Sequence, residues 1–129
     1  MRAVDDIIED IKTELMLSFL ENHVRYKVLT MKMTSTGLLH SSIVKYRPKH
    51  WNYPMEPPQY GKHGPGGLWA NRNLAMARSL QKYLEEKHGM KTRIHLCIID
   101  KILFQSSYRS KTNRLLLLDP VGRWKNLKP

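Results

Sequence analysis

Residues 48–67 hold Pro48, Pro54, Pro57, Pro58 and Pro65 together with Gly61, Gly64, Gly66 and Gly67. Proline removes backbone donors and glycine lifts the steric limits on the chain, so no long helix or strand fits here. The same stretch carries Trp51, Tyr53 and Tyr60. A pure linker rarely holds three aromatic rings, so the segment is expected to be an ordered loop packed on the domain, of the long kind that often carries function. It divides the chain into two patterned parts. At 129 residues, 41% apolar and 26% charged, the chain suits one domain with a core rather than two domains or a disordered polymer.

The periodicity in each part is clear. Val4, Ile7, Ile8, Ile11, Leu15 and Phe19 recur at helical spacing, which predicts an amphipathic helix over Val4–Leu20. Asp5, Asp6, Glu9 and Asp10 fall in its first turns, where acids suit the positive end of the helix dipole. From Val24 to Met33 the period drops to two, predicting a strand with Arg25 and Lys27 on a basic outer face. Thr34–Gly37 reads as a turn and Leu38–Arg47 as a second strand, giving a hairpin. Beyond the loop, Leu68–His88 reads as a second helix stopped by Gly89. Thr92–Ile99 is a strand, Lys101–Arg114 a polar hairpin extension, and Leu115–Leu118 a central strand covered on both sides. The expected fold is a single α+β domain over residues 1–129, of order α-β-β-α-β-β, with two helices packed on a small sheet.

Charge is placed unevenly. Residues 1–21 carry a net of −4, from two basic and six acidic side chains, whereas residues 22–129 carry +15, from 20 basic and five acidic. Such a surplus on a small domain attracts a polyanion, and nucleic acid is the commonest one. The densest candidate contact is Lys101, Arg109, Lys111 and Arg114, followed by Arg123, Trp124 and Lys125. Cations reach phosphates, and interleaved rings such as Tyr108 and Trp124 stack on bases. A second copy of the chain or an acidic protein is the other partner class.

Other chemistry has less support in the residues. The one cysteine, Cys97, excludes an internal disulfide. Six scattered histidines form no His-x-x-x-His pair, so no metal and no cofactor is expected. Lys62–Gly67 lacks both phosphate-loop patterns. His63, Asn73 and His88 follow the order of an HNH-type nuclease, but Lys62 stands where the acidic ligand belongs. No apolar run reaches 18 residues, and the N-terminus lacks a signal peptide's order, so the expected setting is intracellular, cytoplasmic or nuclear, with no membrane contact.

Arg93–Asp100 places His95 near the head of an apolar strand, and Leu115–Leu118 leads into Asp119-Pro120-Val121-Gly122. Together with Tyr60–Gly66 before the helix, this resembles the adenoviral protease and SUMO-protease clan of cysteine peptidases over about residues 60–122. The resemblance implies His95 as general base and Asp119 as the acid that orients it. The clan's glutamine and nucleophilic cysteine follow the acid, and neither occurs in Arg123–Pro129, while Cys97 shares a strand with His95. The expected function is therefore nucleic-acid binding through phosphates, in a chain whose size and charge fit a viral or mobile-element accessory protein. Its rivals are a hydrolase-like domain and a protein-binding module built on the proline-rich aromatic loop.

Overall fold

The computed structural model describes residues 3–37 and 43–122. Helix α1 (Val4–His23) leads directly into β1 (Val24–Thr30). After the irregular stretch that contains the short β2 (Trp51–Asn52) come β3 (Leu68–Asn71), α2 (Leu74–His88), β4 (Thr92–Ile99), β5 (Ile102–Gln105), β6 (Arg109–Thr112) and β7 (Leu115–Pro120). The class is α+β, as expected, but the order is α-β-β-β-α-β-β-β-β and the sheet is large, with seven strands ordered β2-β7-β4-β1-β3-β6-β5 and every pair antiparallel.

That order requires a bent sheet. β6 and β7 stand four places apart, about 19 Å along a flat sheet at ~4.8 Å per strand. Only Asn113 and Arg114 link them, a reach of roughly 10 Å. Asp100 and Lys101 link β4 and β5 across the same number of strands. The strands β2-β7-β4-β1 therefore fold over towards β3-β6-β5. The main core lies on the inner face, where Leu68 and Ala70 cluster with Leu29, Cys97, Ile99, Leu115 and Leu117. A second cluster, Val28 and Ile94 with Ala77 and Leu84 of α2, covers the outer face of the first half.

Three expectations are corrected here. The second helix begins at Leu74, not Leu68, because Leu68 and Ala70 are buried in alternation on β3. Asn73 is extended and its side chain accepts the Met76 N–H at 2.9 Å, which starts the helix; the left-handed Gly89 at φ 59° ends it as predicted. Arg25 and Lys27 do not form an outer face: they share the inner face with Leu29, and Arg25 is buried. Its guanidinium ties β1 to the β5–β6 hairpin through Ser110 Oγ at 3.0 Å and Gln105 Oε1 at 2.8 Å. Finally, α1 is a helix as expected, but none of its residues is buried, and the described residues do not cover its apolar stripe. Of the hairpin expected over 24–47, the structure shows a Thr34–Lys45 bridge with Ser35 and Tyr46 N–H groups donating to Val44 and Met33 carbonyls; residues 38–42 lie outside the described residues.

Candidate nucleic-acid interface

β1 pairs with β4 at all seven of its residues but with β3 only at Tyr26–Asn71. Beyond that point β1 and β3 diverge, and the fork between them opens a cleft of about 920 Å³. Lys27 and Tyr46 line it with Trp69 of β3, Tyr83 of α2, and Tyr108 and Arg109 of the hairpin. Strand pairing positions Lys27, Trp69 and Arg109 directly, Tyr108 sits in the turn before β6, and Tyr46 is held in the core cluster beside Leu29.

Lys27 spans the fork. Its ammonium donates to the Trp69 carbonyl and lies 5.2 Å from the centroid of the Tyr46 ring. Burial pushes this ammonium down to about 8, against the pull of nearby Cys97. The Tyr46 hydroxyl is driven in the opposite sense, above its ordinary value, by the same burial.

Arg109 adds a second cation to a wall that Glu56 also lines. Its guanidinium carbon is 4.0 Å from the centroid of the Trp69 ring and 5.6 Å from that of Tyr108. Its Nε is buried with no hydrogen-bond partner, and no carboxylate pairs with it among the described residues. A guanidinium stacked on an indole and lacking an acceptor is prepared for an anion with a flat neighbour.

The remaining residues of the expected basic segment have different surroundings. Lys101 is exposed. Lys111 is fully buried and donates to the carbonyls of Gln59, Gly61 and Gly64 at 2.7, 3.0 and 2.7 Å. Arg114 binds Asp100 at 2.9 Å and stacks 4.1 Å from the Trp51 centroid. Arg123, Trp124 and Lys125 lie outside the described residues. The structure thus places Arg109 on the cleft and gives Lys111 and Arg114 partners within the fold. Reading the sequence missed Lys27, Tyr46 and Trp69. One signal was available for Lys27: it alternates in phase with apolar Leu29, so a covered Leu29 implies a covered lysine.

His95 and Asp119 occupy neighbouring strands but are not joined by a hydrogen bond. The His95 Nδ1 lies 3.0 Å from the Leu118 carbonyl, which only accepts, so the proton sits on Nδ1. Nε2 is buried without a partner among the described residues, and Asp119 is exposed. Asn73, of the HNH-like set, is the cap of α2. Among the described residues, no three His, Cys, Asp or Glu side chains gather to hold a metal, and no helix is long and apolar enough to cross a membrane.

Cys97 is fully buried, and burial pushes its thiol up to about 12 despite Lys27 and Arg25 nearby. A thiolate is the nucleophilic form, so this sulfur is inert in the fold. Native protein is expected to show no thiol titratable by a disulfide reagent within minutes, and one after denaturation; prompt reaction in the native state would contradict this. No protein-family model matches the chain, nor does any curated protein or any solved structure.

Proposed function

We propose that the protein binds single-stranded nucleic acid, seating one nucleotide in the fork between β1 and β3. The observation that carries this reading is Arg109, whose guanidinium lines the cleft, stacks on Trp69 and has no anion of its own among the described residues. A phosphate supplies the missing acceptor, and a base supplies a flat face for the aromatic wall. The surplus of +15 over residues 22–129 adds a field that draws the polyanion in. Size argues for a single strand. A cleft of about 920 Å³ is at the upper end of pockets that enclose ligands of nucleotide dimensions, about 300–1,000 Å³, whereas a duplex keeps its bases stacked inside.

Fluorescence anisotropy with a labelled 12-mer, single-stranded and as the matching duplex, tests this at two salt concentrations. The single strand is expected to bind more tightly, with affinity falling as salt rises. Arg109→Ala should weaken binding by about 10-fold or more, and Arg109→Lys should recover little of it, because lysine keeps the charge and loses the planar stack. Lys101→Ala should cost only the small increment of one exposed phosphate contact. Duplex preference, or an Arg109→Ala variant with unchanged affinity, would overturn the assignment.

A further inference from the structure

Among the described residues, helix α1 meets the sheet through its last turn. There His23 Nδ1 lies 3.0 Å from the Ile99 carbonyl, and the Phe19 ring stacks on His23 at 4.0 Å. Val4, Ile7, Ile8, Ile11, Leu15 and Phe19 fall on one stripe, yet each is between 40% and 70% exposed. At 100° per residue, Asp5, Asp6, Glu9 and Asp10 fall outside that stripe. A 20-residue helix without tertiary packing is marginal in water, so the stripe needs a cover that the described residues do not supply.

We propose that the cover is the α1 helix of a second copy of this chain, paired antiparallel, stripe on stripe. The stripe is self-complementary when reversed: Val4 comes opposite Phe19 and Ile8 opposite Leu15. Charge fixes the direction. The acids at positions 5, 6, 9 and 10 crowd the first half of the helix, while residues 22–129 carry +15. Antiparallel pairing lays the acidic half of each helix beside the basic body of the other copy and opposes the two helix dipoles. Parallel pairing would set acid against acid and body against body. The symmetric two-fold arrangement is also the commonest one for a homodimer. This inference is independent of what the cleft binds.

Sedimentation velocity of the full chain over a concentration series is expected to show a monomer–dimer equilibrium that weakens with added salt. The double substitution Ile8→Ser, Leu15→Ser should raise the dissociation constant by about 100-fold or more, since it removes four buried side chains from the paired stripes. Direction is read separately by oxidation of cysteine variants. An equimolar mixture of Val4→Cys and Phe19→Cys chains should form a disulfide-linked heterodimer, and neither variant alone should cross-link. A monomer at all concentrations, a dimer that survives the double substitution, or cross-linking by Val4→Cys alone would each overturn the proposal.

Discussion

Lys111→Met is expected to lower stability by about 3–5 kcal/mol, even though it takes a charge out of the protein interior. The reason lies in what the ammonium holds. Lys111 is fully buried on β6, and its Nζ donates to the carbonyls of Gln59, Gly61 and Gly64. An ammonium has three donors, and all three are in use. These carbonyls belong to a stretch that has no helix or strand to satisfy them. Methionine fills a similar volume but donates nothing, so three part-buried acceptors lose their partner, towards the lower end of about 1–3 kcal/mol each, offset in part by the relieved burial of the charge. Gly67 packs against the same stem: it has φ +89°, and a Cβ added there would fall 2.6 Å from Lys111 Cε and 2.9 Å from Cγ. Gly67→Ala should therefore destabilise in the same direction, through displaced lysine and strained backbone together. The check is a urea titration in which the midpoint falls with unchanged slope, with a melting temperature about 10–25 °C lower for Lys111→Met. A loss of less than ~0.5 kcal/mol would show that the loop stands without this lysine.

Lys111 also shows where a sequence stops being legible. Arg109, Lys111 and Arg114 look alike in a basic segment, and their spacing is that of a hairpin, which the structure bears out with β5 and β6. What separates them is distant in the chain. Lys111 meets carbonyls some 50 residues earlier, Arg109 meets Trp69 and Arg114 meets Trp51. Local periodicity carries no record of such partners. Where the local signal was sufficient, the reading held: Thr92–Ile99 is β4 without change, and Gly89 is left-handed at the end of α2. Leu68–Asn71 misled because Trp69, at 100° per residue, continues the apolar face of Ala77, Leu80 and Leu84, and tertiary pairing with β6 makes the segment a strand instead. The fork itself was invisible, since it arises from the single Tyr26–Asn71 pair between two strands that the sequence places more than 40 residues apart.

Lys27→Met should move stability and binding in opposite directions, which separates a ligand-directed lysine from a structural strap. Its ammonium titrates near 8 in the fold against 10.5 when unfolded. Below pH 8 both states carry the proton, and the fold bears the full cost of burying the charge. Between 8 and 10.5 the unfolded chain holds more protons than the folded one, so this group's contribution to stability rises with pH across that window. The interval corresponds to about 3 kcal/mol, and losing the bond to the Trp69 carbonyl returns about 1–2 of it. The methionine variant is therefore expected to be about 1–2 kcal/mol more stable than the parent at pH 7, with the advantage shrinking as pH climbs from 8 to 10.5. Comparing the two proteins at each pH cancels the opposing contribution of Cys97, whose raised thiol favours the unfolded state above its ordinary range. A phosphate in the cleft acts on the same proton. It favours the ammonium, so single-strand affinity of the parent should fall as pH rises through 8, while the variant binds about 10-fold more weakly at pH 7 and shows no such fall. Urea titrations and anisotropy over pH 7–10 read both effects. A variant that is less stable than the parent yet binds equally well would make Lys27 a strap across the fork and leave Arg109 as the cation of the cleft.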